Sequence, residues 1–152
     1  MKEHRSSRGV TAARRLEWDS GHRVLRHESK CRTLHGHRYV AEVVVAAESL
    51  DEVGRVIDFG VIKQKVGRWI DDHWDHATLV NQEDESLLNW CQEDARVGGN
   101  RPPYIFAGEP TAENIAKELL AKSITLLAGD GVQVIQVRVW ETPNCYAEAR
   151  AL

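Results

Sequence analysis

The stretch Cys31-Arg32-Thr33-Leu34-His35-Gly36-His37 places two imidazoles one residue apart, with a thiol four residues ahead of the first. On a strand, residues i and i+2 point the same way. His35 and His37 therefore project to one side, in line with the apolar positions Tyr39, Ala41 and Val43. Gly36 leaves the opposite side bare and lets another backbone come close. Imidazoles turned toward an apolar face are costly unless they are paired or bound to metal. Zinc accepts neutral imidazole nitrogens, and a catalytic zinc site uses three protein ligands and keeps one position open. His22, at the end of the preceding strand candidate, reaches the same point if the two strands pair as a hairpin. An isolated His-x-His is more often a chance pair than a site. Here the nearby thiol and the residues below argue for His22, His35 and His37 as a three-histidine Zn2+ site.

Cys31 admits three readings. It is a fourth ligand closing a structural Cys-His₃ site, an apolar filler, or a thiolate base beside Lys30, Arg32 or a bound metal. Spacing does not choose among them. Asp75 and His76 follow the first helix; in a loop the carboxylate can set the imidazole tautomer and make a proton relay. The competing reading is a helix-end histidine favoured by the macrodipole, and His73 fits that better because it continues the apolar stripe. Glu141 ends a face that carries Ile135, Val137 and Val139. A carboxylate there can accept a pair of N–H donors from a flat, guanidine-like ligand edge. Alternatively the strand has already stopped and Glu141 sits in solvent.

The elements that must position these groups are legible from periodicity. Residues 14–20 read weakly as a strand and 37–47 strongly, with Tyr39, Ala41, Val43 and Val45 on one face. Asp58 is placed to cap a helix over roughly 60–73, its stripe formed by Ile62, Val66, Trp69, Ile70 and His73. Thr111 is placed to cap a second helix over about 112–127, with Ile115, Ala116, Leu119, Ser123, Ile124 and Leu127 inward. Residues 132–141 form the last strand, ended by Pro143. Strands flanking grouped helices give an α+β fold with helices on one face of the sheet. The stretch 82–109 stands out as a long insert with a short helix in it.

With 152 residues the chain is read as one domain over 14–152, behind a flexible N-terminus at 1–13. A net charge of -3 excludes a strong pull toward nucleic acid or anionic membrane. Three cysteines without a Cys-x-x-Cys pair point away from a disulfide framework and toward a reducing, cytoplasmic setting. No apolar run is long enough to span a membrane, and residues 1–15 are basic without the apolar core of a secretory signal.

Six segments in order, SGHR, CRTLHGH, IDFGVIK, DHATLVN, PTAEN and VWETPN, together resemble the 6-pyruvoyltetrahydropterin synthase / 6-carboxytetrahydropterin synthase family, from about Leu16 to Cys145. The resemblance implies a T-fold: a four-stranded antiparallel sheet with two helices on one face, assembled into an oligomeric barrel, a hexamer with sites between subunits. It implies His22, His35 and His37 as zinc ligands, Cys31 as catalytic base and Asp75 and His76 as the relay. Glu141 would anchor the pterin's amino-pyrimidine edge, with Thr111 and Glu113 near the pterin pocket. The short Cys31-x-x-x-His35 gap is similar to members that make 6-carboxytetrahydropterin from 7,8-dihydroneopterin triphosphate in queuosine precursor synthesis. The pyruvoyl-forming branch is the alternative, and a non-catalytic zinc-stabilised scaffold is the alternative of another class. Two departures stand out: Asn81 falls one residue later than in the family's pattern, and 82–109 is longer. Arg96 and Arg101 in that stretch either touch phosphate or solvate the loop.

Overall fold

The computed structural model describes residues 9–152. Of the terminus expected to be flexible over 1–13, residues 1–8 lie outside the described residues, and Thr11 already opens a strand. β1 (Thr11–His22) and β2 (His35–Ala46) pair antiparallel along their full length, with Thr11 opposite Ala46 and His22 opposite His35. The alternation that defines the hairpin sends Leu16, Trp18, Ser20 and His22 of β1 inward, and Tyr39, Ala41, Val43 and Val45 of β2. The inner row of each strand thus runs from apolar side chains at one end to histidines at the other.

Asp58 caps the next helix by accepting the Gly60 N–H at 2.8 Å. α1 (Phe59–Ile62), a π-helical stretch (Lys63–Gly67) and α2 (Arg68–His73) run on as one helix. Its buried stripe is Ile62, Val66, Ile70 and then Trp74, not His73. The π-helical stretch adds a residue to the turn and moves the stripe on by one. His73 is exposed and stacks on Trp69.

Beyond the helix the structure departs from the expected four strands. β3 (Ala77–Asn81) lies parallel to the end of β1, with Ser20 opposite Ala77 and His22 opposite Leu79. β4 (Tyr104–Phe106) lies parallel to β3. Between them α3 (Glu85–Gly98) crosses over, capped by Asp84 and ended by Gly99 at φ +66°. The stretch 82–109 therefore supplies the helix and the second strand of a β3–α3–β4 crossover. α4 (Ala112–Leu126) follows, its Thr111 hydroxyl accepting the Asn114 N–H at 3.2 Å. β5 (Gln133–Thr142) and β6 (Cys145–Arg150) close the chain as a hairpin, so the strand ended by Pro143 is not the last. The sheet has six strands, in the order β4-β3-β1-β2-β5-β6, and is mixed rather than antiparallel.

The two long helices pack on one face, as expected. Ile62, Val66 and Ile70 join Ile115, Ala116, Leu119 and Leu127 over Trp18, Tyr39, Val43 and Val137 in one core. Ile124, expected inward, is 45% exposed. On β5 it is Val134, not Ile135, that enters the core, because the pairing with β2 skips Ile135. α3 makes a small separate cluster, Leu87 and Cys91 against Val80.

Candidate metal centre and substrate cleft

The hairpin register brings His22, His35 and His37 together. Their ring centroids lie 4.7, 5.1 and 4.8 Å apart, and one nitrogen from each falls within 4.8 Å of the others. On two of the rings the other nitrogen is already bonded. His22 Nδ1 donates to the Pro110 carbonyl at 2.8 Å, and His35 Nδ1 donates to the Thr33 carbonyl at 2.6 Å. Such bonds fix the tautomer and leave Nε2 as the bare nitrogen. His22 Nε2 and His37 Nε2 are buried and have no hydrogen-bond partner. Burial holds the His22 pKa down at about 4; the Pro110 bond opposes this and the two neighbouring histidines reinforce it. His37 is lowered too, by burial first, against the pull of Glu141. His22 is therefore a neutral ring near pH 7, as a metal ligand must be.

Glu141 reaches this triad by a bulge. The β5–β6 pairing passes from Trp140 opposite Tyr146 to Thr142 opposite Cys145, leaving Glu141 as the extra residue. A bulge re-aims its side chain out of the regular alternation. Glu141 Oε1 stands 3.4 Å from His22 Nε2 and 3.8 Å from His37 Nε2. A carboxylate oxygen facing a bare imidazole nitrogen at that distance is repulsive with no proton between them. A cation among them removes the conflict. The donor set thus fits zinc. Among the described residues the assembled group is the three histidines without the Cys31 sulfur, so the closed Cys-His₃ reading is not what this geometry builds.

Beside the triad lies a cleft of about 200 Å³ lined by His22, His27, Cys31, Thr111, Glu113, Glu141 and Cys145 among others. Cys31 sits half-buried in a short 3₁₀ turn, Lys30–Arg32. The cleft thus joins the thiol, one histidine of the triad, Glu141, and Thr111 and Glu113 at the start of α4. Asp75 and His76 form a pair, with His76 Nδ1 3.1 Å from Asp75 Oδ2. The second oxygen of Asp75 accepts the Asp19 N–H at 3.0 Å. His76 takes φ +60°, uncommon for a residue with a side chain, and its N–H donates to Asp19 O at 2.7 Å. His76 opens on a different cleft, of about 470 Å³, shared with Asp19, His37 and Arg38. Within one chain His76 and Cys31 line different clefts.

Residues 11–151 match the family model for 6-pyruvoyl tetrahydropterin synthase. The chain belongs to that family. The 6-carboxy-5,6,7,8-tetrahydropterin synthase of Rickettsia felis is 40% identical over 140 residues, 91% of this chain and 99% of its own. The protein of the same name from Haemophilus influenzae is 28% identical over 139 residues, 90% and 95% of the two chains. A crystal structure of an uncharacterised Wolinella succinogenes protein superposes with a TM-score of 0.78 at 24% identity, over 93% of this chain and 97% of that one. The 6-pyruvoyl tetrahydropterin synthase of Caenorhabditis elegans gives 0.68 at 21%, over 94% and 96%. At those identities the two structures speak for the fold alone. The fold is the family's T-fold, with β1, β2, β5 and β6 as its two hairpins and β3 and β4 added at one edge.

Several residues around this family member's site have no signal in sequence spacing. Pro110 and Thr33 act through carbonyls, which any residue carries. Asp19 holds the Asp75 carboxylate through its backbone N–H. His27, four residues before Cys31, and Cys145 line the cleft without belonging to any spaced motif; a search for further imidazoles and thiols near Cys31 is what finds them. Asn81 is buried and donates to Glu109 while its oxygen accepts the Glu83 N–H at 3.0 Å, a structural role. Arg96 pairs with Glu93 on the surface of α3, and Arg101 donates to the Asp72 carbonyl.

Proposed function

We propose that the chain is a zinc-dependent 6-carboxy-5,6,7,8-tetrahydropterin synthase. It would convert 7,8-dihydroneopterin triphosphate and water to 6-carboxytetrahydropterin, acetaldehyde and triphosphate, toward a queuosine-type 7-deazapurine. The observation that carries this is the convergence of bare, buried imidazole nitrogens and the Glu141 carboxylate on one point, at the wall of a cleft that also holds Cys31. The relatives named for this activity support the choice of outcome.

His22, His35 and His37 would hold the zinc. Bound there, it would supply Lewis acidity toward the hydroxyl oxygens of the substrate side chain. Glu141, Thr111 and Glu113 bind and orient the pterin, with Glu141 accepting the N–H donors of its amino-pyrimidine edge. Cys31, as thiolate, removes a proton from the side chain beside the metal. His76 exchanges a second proton, its Nδ1–H held by Asp75 so that Nε2 is the working nitrogen. Triphosphate leaves, and a two-carbon fragment is released as acetaldehyde. Because His76 opens on another cleft than Cys31, the working site takes its relay from a second copy, as in a homo-oligomer with sites between subunits. No described helix is long and apolar enough to cross a membrane.

Incubation of the zinc-loaded protein with 7,8-dihydroneopterin triphosphate tests the reading. The expected result is a carboxypterin by mass together with trapped acetaldehyde. A pyruvoyl product without acetaldehyde would move the chain to the other branch of the family, and no turnover would refute the activity.

A further inference from the structure

The loop between β1 and β2 carries a histidine that neither the metal nor the relay uses. His27 lines the same cleft of about 200 Å³ as Cys31, Thr111, Glu113 and Glu141. Its Nδ1 accepts the Ser29 N–H at 2.9 Å. That bond requires a lone pair on Nδ1, so the ring proton sits on Nε2. The loop that carries the ring is held from several sides. The His27 N–H donates to Val24 O at 3.1 Å, and the Val24 N–H donates to Cys31 O at 2.8 Å. The Arg26 N–H donates to Glu109 at 3.1 Å, and Arg23 grips Asp84 with two bonds of 2.6 Å.

The other carboxylate and imidazole groups in the cleft offer it no N–H. Glu113 and Glu141 are acceptors, and His22 spends its Nδ1–H on Pro110; Thr111, whose hydroxyl accepts the Asn114 N–H, and Tyr146 supply O–H donors only. Among the described residues lining the cleft, His27 is the side chain that offers a nitrogen donor with a fixed tautomer. A substrate whose reacting side chain is a row of hydroxyls, turning into carbonyls, presents acceptor oxygens that gain negative charge when a proton is removed beside them. A preorganised neutral N–H near that position stabilises the charge where it develops.

We propose that His27 is a substrate-contacting residue, its Nε2–H donating to an oxygen of the hydroxylated side chain that Cys31 deprotonates; this rests on the pterin reading of the site. Two substitutions separate contact from loop support. In H27N the amide oxygen falls where Nδ1 was and keeps the Ser29 bond, but the donor into the cleft is gone. In H27Q the amide N–H reaches the Nε2 position and the loop acceptor is gone. With 7,8-dihydroneopterin triphosphate, H27N is expected to lose at least about tenfold in kcat/KM and to bind that compound more weakly than wild type, with zinc content unchanged, while H27Q stays within about threefold of wild type in both. H27N as active as wild type, or H27Q falling as far as H27N, overturns the contact. Affinity for the same compound, read by quenching of its fluorescence, is measured in parallel. If wild type binds it without turnover, the activity reading fails and the order of the affinities still decides His27. If wild type does not bind it, both fall.

Discussion

His22 answers to two demands. Its ring is 1% exposed, and its free nitrogen points at a carboxylate rather than a donor. With a folded pKa of about 4 against 6.5 unfolded, the unfolded chain binds a proton between those values that the folded chain refuses. Stability of the metal-free protein therefore falls as pH drops through that window, by about 3 kcal/mol across the whole of it. Denaturant melts of chelator-treated protein from pH 7 to 4.5 should show the decline, and His22→Gln should flatten it; an equally steep fall in the variant would refute the assignment. Zinc-loaded protein should lose more over the same range, because protons then also displace the metal. Cys31 sits outside the ligand group, so Cys31→Ala should keep its zinc and lose roughly 10²–10⁴ in rate. A variant that loses zinc along with activity would return the sulfur to the metal.

At the scale of elements, Asp84 ties the crossover to the site. It is buried at 3% exposure, caps α3 through the Leu87 N–H, and holds Arg23 of the loop that carries His27 and Cys31. Arg23 holds its carboxyl below the usual carboxylate range. Asp84→Ala removes a cap and leaves the guanidinium without its charged partner, at a cost of about 2–3 kcal/mol in chemical denaturation. Asp84→Asn should recover the cap portion; no difference between the two would mean that the cap carries nothing. The crossover itself was hard to read in the sequence. β3 and β4 hold five and three residues, too few to show a period, and their parallel pairing leaves no hairpin signal. The β1–β2 hairpin was legible because period-two alternation ran into a His-x-His, and one register then placed all three rings. Counting faces along β5 failed at Ile135, since a bulge in the pairing is invisible to alternation. The same count nevertheless found Glu141, which a second bulge turns toward the histidines. His73 was misplaced for a similar reason, a π-helical stretch that no spacing announces.

For the whole molecule, the division of the site between two clefts makes a prediction that one chain cannot satisfy. β1 pairs with β3 only over Ser20–His22, so residues 11–19 keep one strand neighbour among the described residues, and β6 ends the sheet on the other side. Two free antiparallel edges on one curled sheet are what barrel closure between copies would consume. Sedimentation should then give a mass several times 17.2 kDa, six times for the expected hexamer. The sharper test uses two inactive variants. Cys31→Ala keeps its relay and loses the thiol; His76→Ala keeps the thiol and loses the relay. If a working site takes Cys31 from one copy and His76 from another, unfolding, mixing and refolding the two regenerates intact sites. Random equal mixing makes both halves intact in about a quarter of them, so activity should return to roughly that fraction of wild type. If both groups act from the same chain, every site in the mixture carries one lesion and the mixture stays as inactive as its components.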